Sequence, residues 1–79
     1  MSHDAGAAKL VRMANQIAAF FETQADVDGP AAVADHINKF WEPRMRRQFM
    51  TLVDAGGAEL SPLVLAAVPA IRLPEDHST

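Results

Sequence analysis

The amino-acid sequence predicts a small all-α protein, a bundle of three helices plus a short fourth helix. Apolar residues recur at three- and four-residue steps along most of the chain, which is the spacing of one face of a helix. Alanine, the strongest helix former, is abundant, and no segment alternates apolar and polar residues as a half-buried strand does. Prolines and glycines divide the chain into segments of helical length.

The first helix is predicted at about residues 8–24. Its apolar side chains fall within a single stripe about 100° wide, which is typical of a helix that packs on a core. The residues of this stripe are Leu10, Met13, Ile17, Phe20 and Phe21. A loop rich in aspartate, glycine and proline follows and ends the helix.

The second helix is predicted to follow Asp28, a suitable N-cap residue, with Pro30 in its first turn. Its expected core face contains Val33, Ile37, Phe40 and Trp41. On another face Asp35 stands four residues before Lys39, the favourable order for an exposed ion pair. The helix should end near Glu42, because a residue that precedes a proline is disfavoured in helical geometry.

The third helix is predicted to begin at Pro43 and to end at Gly56 and Gly57, since a glycine can take the left-handed position after a helix. Its apolar face contains Met45, Phe49, Leu52 and Val53. Ser61 as N-cap and Pro62 as the first helical residue then predict a short helix over residues 63–68. One helical domain at residues 8–68 follows, with flexible tails at residues 1–7 and 69–79.

The composition excludes several classes of function. A chain of 79 residues holds one domain at most. The chain has no cysteine, so it cannot bind a metal or an iron–sulfur cluster through thiolates. The first residues lack a signal-peptide pattern, and no apolar stretch is long enough to span a bilayer. We therefore expect a cytoplasmic protein without a membrane partner.

The charge is unevenly distributed. The formal net charge is -3. Between residues 39 and 47 four basic residues, Lys39, Arg44, Arg46 and Arg47, stand against the single acid Glu42, which gives a local charge of +3 and leaves -6 for the rest of the chain. A separation of charge of this kind steers a partner more than it stabilises a fold.

The sequence predicts no catalytic, cofactor-binding or metal-binding residue in this chain. His3 and His77 lie in the predicted tails, and His36 has no second histidine at helical spacing. Asp26 and Asp28 lack the further acidic ligands of a calcium loop and are better explained as turn and cap residues.

The candidate site is a partner-binding surface at the corner between the second and third helices. It comprises Lys39, Trp41, Arg44, Arg46, Arg47 and Gln48. Three arginines near a helix N-terminus oppose the macrodipole at about 0.3–1 kcal/mol each, which indicates a use outside the fold. Arginine beside tryptophan suits a protein interface. The position of Trp41 at the edge of its stripe leaves open whether the ring seals the domain or projects toward a partner.

An alternative use of the same arginines is nucleic-acid binding. A free-standing helical regulator could contact phosphates through Arg44, Arg46 and Arg47. Three or four phosphate contacts on an acidic chain give only a weak, salt-sensitive interaction, so this is the weaker interpretation.

Three blocks of the sequence resemble a known family. The blocks are KLVRMANQIAAFF at 9–21, AAVADHINKFWEPRMRRQFM at 31–50 and GGAELSPLVLAAV at 56–68. In this order they resemble the small delta subunit of cytoplasmic NAD-dependent formate dehydrogenases. The middle block, with HINKFWEPRMR, is the most specific.

This resemblance implies a non-catalytic accessory subunit that supports the assembly or stability of a multi-subunit enzyme. In such enzymes the alpha subunit holds a molybdenum or tungsten pterin cofactor and iron–sulfur clusters, the beta subunit holds FMN and the NAD site, and the gamma subunit holds a further cluster. The complex oxidises formate to carbon dioxide and reduces NAD+. By this resemblance the delta chain binds no cofactor. Its expected partner is the large alpha subunit, with the beta and gamma subunits as further candidates.

Overall fold

The computed structural model describes the backbone of residues 2–57 and 59–73, with side chains from residue 6 onward. Within these residues the chain forms four α-helices and no strand, which confirms the predicted all-α class. The helices are α1 (Ser2–Glu22), α2 (Gly29–Phe40), α3 (Pro43–Asp54) and α4 (Pro62–Ala67), and a 3-10 turn, Val68–Ala70, follows α4 directly.

Helix α1 is longer at its N-terminus than the apolar stripe predicts. It begins at Ser2, so six of the seven residues predicted as a tail are helical, whereas Met1 lies outside the described residues. The stripe marks only the part of the helix that packs on the core, while the alanines before it favour continuation of the helix through their high helix propensity. After Glu22 the chain turns, and the backbone N–H and the hydroxyl of Thr23 both donate to the Phe20 carbonyl.

The predicted helix starts are confirmed by their caps. Asp28 Oδ1 accepts a hydrogen bond from the Ala31 N–H at 3.2 Å, and Ser61 Oγ accepts one from the Val64 N–H at 3.3 Å. Each side chain satisfies one of the amide groups that a helix leaves unpaired in its first turn. Helix α3 instead begins with Pro43, which has no N–H to satisfy.

Two glycines end α3, as predicted. The Gly56 N–H donates to the Val53 carbonyl at 3.0 Å and the Gly57 N–H to the Leu52 carbonyl at 3.1 Å. This pair of bonds is a Schellman motif. It requires positive φ angles, which are 125° at Gly56 and 55° at Gly57.

The core lies where α2 meets α4 and α1. Its largest fully buried side chains are Phe49, Ile37, Val33 and Val64. Helix α1 contributes the buried alanines Ala14 and Ala18, whose small side chains permit close helix packing. The start of α2 packs closely on α4, since a Cβ atom added at Gly29 would lie 2.9 Å from Leu63 Cδ1.

The segment after α4 is part of the packed domain, in contrast to the tail predicted at residues 69–79. Ile71 is only 6% exposed and belongs to the core. The 3-10 turn explains the difference, since it redirects the chain so that residues 70–72 lie against α2 and α3. Residues 74–79 lie outside the described residues.

Candidate protein-interaction surface

The six residues predicted to bind a partner separate into two groups in the structure. Lys39, Arg44, Arg47 and Gln48 are exposed. We call these four residues the cationic corner. Trp41 is buried and Arg46 is half-buried, so both serve the fold of the corner. Only two residues, 41 and 42, connect α2 to α3, which brings the four exposed side chains to one end of the bundle.

Lys39 forms the predicted ion pair within α2. Its Nζ atom lies 3.1 Å from Asp35 Oδ2, and the two side chains are 65% and 61% exposed. An exposed pair of this kind contributes little to stability, so a partner can replace it at small cost. The positive charge of the corner therefore depends mainly on Arg44 and Arg47.

Trp41 and Phe40 have opposite environments. Trp41 is 5% exposed, and its ring packs edge-to-face on Phe49 with 5.6 Å between the ring centroids. It continues the four-residue spacing of Val33 and Ile37, which directs the ring into the core. The sequence predicts Trp41 as part of the partner-binding surface and leaves the direction of its ring open. In the structure the buried ring offers almost no surface to a partner.

Phe40 instead supplies the exposed aromatic surface at the corner. Its side chain is 70% exposed, so its predicted place in the core is wrong. The reason is angular: Phe40 lies about 100° around the helix from Trp41, so when the Trp41 ring packs on Phe49 in the core, the Phe40 ring is directed toward solvent.

Arg46 is half-buried and is bound to the C-terminal segment. Its Nη1 atom donates to the Arg72 carbonyl at 2.7 Å, and its Nε atom is buried without a hydrogen-bond partner. The guanidinium therefore joins α3 to the C-terminal segment, and its charge is less available to a partner than that of Arg44 or Arg47.

Two asparagines that the sequence analysis did not single out fix the irregular segments. The Asn15 amide donates to the Glu59 carbonyl and accepts from the Ser61 N–H, both at 2.9 Å. Asn38 does the same with the Ala70 carbonyl, at 3.1 Å, and the Arg72 N–H, at 2.7 Å. Asparagine is unfavourable in a helix interior. Its occurrence within two predicted helices is therefore the sequence signal that could have indicated these contacts.

A second surface feature lies between α1 and α2. It is a groove of about 370 Å³, which we call the aromatic groove, lined by Met13, Gln16, Ile17, Phe20, Phe21 and His36. Phe20 is 60% exposed there, so its predicted place in the core is also wrong. The ring of Phe21 lies between those of Phe20 and His36, at centroid distances of 5.1 and 6.5 Å. The imidazole in turn lies 4.7 Å from the Phe40 ring, which connects the groove to the cationic corner.

The side chains that the structure describes, those of residues 6–57 and 59–73, include no group of three or more histidine, cysteine, aspartate or glutamate residues placed to share a metal ion. Over the same residues, no helix combines the length and the apolar character that crossing a bilayer requires.

The comparison with protein families decides where the chain belongs. The profile described as "NADH-dependent formate dehydrogenase delta subunit FdsD" matches residues 9–68, which is well over half of the chain. The chain belongs to this delta-subunit family. The match confirms the resemblance read from the three sequence blocks. No curated protein and no solved structure gives a significant match.

The delta-subunit match covers both surfaces described above. Residues 9–68 include the whole aromatic groove, the cationic corner and Asn15 and Asn38. The match ends at Val68, three residues before the buried Ile71, so the packed domain extends beyond the matched region.

Proposed function

We propose that this chain is a non-catalytic accessory subunit that supports the assembly or stability of a cytoplasmic NADH-dependent formate dehydrogenase. The family match over residues 9–68 carries this proposal. In it, the oxidation of formate to carbon dioxide takes place on the larger subunits. These subunits hold the molybdenum or tungsten pterin, the iron–sulfur clusters and FMN.

The cationic corner is the proposed contact with the large alpha subunit, with the beta and gamma subunits as further candidates. Arg44 and Arg47 are exposed on the first turns of α3, whose first turn contains no acidic side chain and whose N-cap residue, Glu42, makes no side-chain cap hydrogen bond. Carboxylates or carbonyls of a partner would satisfy these guanidinium groups and compensate the unfavourable local field. Lys39 and Gln48 add donors at the rim of the contact.

A nucleic-acid regulator that uses Arg44, Arg46 and Arg47 has less support. Arg46 donates to the Arg72 carbonyl, so only two of these three arginines are exposed. The family match gives no ground for this alternative either.

Charge reversal of the cationic corner tests the proposal. In the native host, a tagged chain carrying Arg44→Glu and Arg47→Glu should recover far less of the alpha, beta and gamma subunits than the unmodified chain does. The reason is that, in this proposal, Arg44 and Arg47 contact the partner. The carboxylates that replace them would repel the groups that the guanidinium groups bind. Co-purified subunits are quantified by mass spectrometry, and circular dichroism checks that the variant stays helical. Arg46 is left unchanged, because its side chain joins α3 to Arg72.

Lys9→Glu with Arg12→Glu is the matched control. Both residues are exposed on α1, and their reversal changes the net charge by the same amount. This variant should retain the large subunits. Equal losses from the two variants would show that only overall charge matters, and undiminished recovery with the corner variant would remove the arginines from the proposal.

A further inference from the structure

Two exposed phenylalanines on one face of a small domain require an explanation. Phe20 and Phe40 are 60% and 70% exposed, although both lie on helices that bury other apolar side chains. Phe21 and His36 connect them into a continuous series of ring contacts. Large aromatic side chains grouped on a surface are typical of interaction sites, whereas single exposed apolar residues are not.

The shape of the aromatic groove limits what can occupy it. It is open to solvent, five of its six lining residues belong to α1 and one, His36, to α2, and only Gln16 and His36 are polar. An open apolar groove on a helical surface suits the apolar face of another helix, with side chains three and four residues apart as its anchors. At about 370 Å³ it accommodates a few apolar side chains.

The charge beside the groove defines the chemistry of the occupant further. Phe40, at one end of the series, is preceded in the chain by Lys39 and followed by Arg44 and Arg47, all of which are exposed. Asp35 pairs with Lys39, and Glu42 is also exposed, so these five groups leave an excess of one positive charge, carried by the two arginines. Carboxylates at the matching end of the occupant would pair with these cations. A second copy of this chain is disfavoured, since a two-fold axis through Phe40 would place the same cations against each other.

We infer that the aromatic groove binds one amphipathic helix of a larger formate dehydrogenase subunit. Apolar side chains of that helix fill the groove, and its acidic side chains lie beside Phe40. This inference rests on the proposed function and adds a distinct contact to it. The cationic corner supplies orientation and fast association, and the apolar contact with the groove supplies most of the binding energy.

Truncation of the two exposed rings tests the inference. The binding partner is the purified enzyme that lacks this subunit. A chain carrying Phe20→Ala and Phe40→Ala should bind it with a Kd that is higher than that of the unmodified chain by a factor of roughly ten or more. Leu65→Ala with Leu73→Ala is the matched control, since these side chains are also large, apolar and exposed but lie outside both the groove and the series of rings that joins it to Phe40. The control should bind with nearly unchanged affinity. Equal weakening by both pairs would overturn the assignment to the groove.

Photo-crosslinking identifies the occupant. Benzoylphenylalanine in place of Phe40 should crosslink to a helical segment of a formate dehydrogenase subunit that carries apolar and acidic residues, as read by mass spectrometry. The same group in place of Leu65, on α4, should not crosslink to that segment. Crosslinks from position 40 to a second copy of this chain or to nucleic acid would overturn the inference.

The proposed function and the groove inference fail in different ways. If the unmodified chain binds the enzyme and Arg44→Glu with Arg47→Glu weakens it while Phe20→Ala with Phe40→Ala does not, the groove inference is wrong and the accessory role stands. If the unmodified chain does not bind the enzyme at all, the proposed function itself is wrong.

Discussion

Asn15 and Asn38 hold irregular backbone to the bundle in the same way. Each side-chain amide donates to one carbonyl and accepts from the N–H two residues further along, as a paired strand would do. Asn15 fixes the segment that leads into α4, and Asn38 fixes the segment that leaves the 3-10 turn. One side chain thus forms hydrogen bonds with two backbone groups that have no partner within a helix.

Removal of the Asn38 amide should destabilise the domain. The substitution Asn38→Ala leaves the Ala70 carbonyl and the Arg72 N–H without their partner, and we expect a loss of about 1–3 kcal/mol in the free energy of unfolding. Urea denaturation, followed by the fluorescence of the buried Trp41, measures this quantity.

Gln48→Ala is the control for that measurement, since Gln48 is exposed on α3. Its effect should stay within about 0.5 kcal/mol. If Asn38→Ala unfolds at the same urea concentration as the unmodified chain, the two hydrogen bonds do not stabilise the C-terminal segment.

The boundaries of α2, α3 and α4 follow from interactions between residues close in the chain. Asp28 and Ser61 each cap an amide three residues further on, and Gly56 and Gly57 end α3 through carbonyls three and five residues back. These interactions need no tertiary structure, which is why the sequence predicts them. The alanine-rich start of α1 is equally local, but it carries no apolar stripe and was therefore missed.

Side-chain direction, in contrast, depends on partners distant in the chain. Phe40 and Trp41 both fit the predicted core face, and Trp41 is buried by contacts with distant residues such as Phe49 on α3. Each hydrogen bond of Asn15 and Asn38 described above joins residues more than thirty positions apart. The exposed part of the candidate site could therefore be predicted as a charged corner, but its aromatic component could not.

The end of α3 provides a test at the level of an element. Gly56→Ala should lower the free energy of unfolding by about 1–3 kcal/mol, because φ is 125° at this position and a Cβ atom strains such a backbone. Gly6→Ala should instead raise it by up to about 1 kcal/mol, since Gly6 lies within α1 with no atom within 4 Å of the added Cβ.

Thermal unfolding by circular dichroism compares the two variants directly. We expect Gly56→Ala to lower the stability and Gly6→Ala to raise it, so a change in the same direction for both variants would contradict the prediction. Neither glycine lies in the cationic corner or the aromatic groove, and both variants should therefore bind the enzyme as the unmodified chain does.

The whole molecule combines a thin core with exposed rings. A domain of this size has a small margin of stability, and it leaves Phe20 and Phe40 largely in solvent. Burial of these rings by a partner would add stability through binding, because a ligand that binds only the folded state shifts the equilibrium toward it. In the proposed complex the chain is therefore expected to be more stable than it is alone.

The extent of the folded unit differs from the extent of the family match. The match ends at residue 68, yet Ile71 is buried. The Ala70 and Arg72 carbonyls accept hydrogen bonds from Asn38 and Arg46, and the Arg72 N–H donates to Asn38. Truncation after residue 68 should therefore lower the free energy of unfolding by roughly 3 kcal/mol or more, from the lost burial of Ile71 and the unpaired polar groups. This is a large fraction of the total stability of a small domain.

Truncation after residue 73 is the control for this comparison, because it retains every contact described here. Urea denaturation of the two shortened chains, again read by Trp41 fluorescence, should place the midpoint of the longer chain close to that of the full protein and the midpoint of the shorter chain well below it. If both midpoints agree with the full protein, the domain is complete at residue 68 and the C-terminal segment only rests on its surface. If the shorter chain alone is destabilised, residues 69–73 complete the core, and a chain cut at the family boundary is unsuitable for the binding experiments.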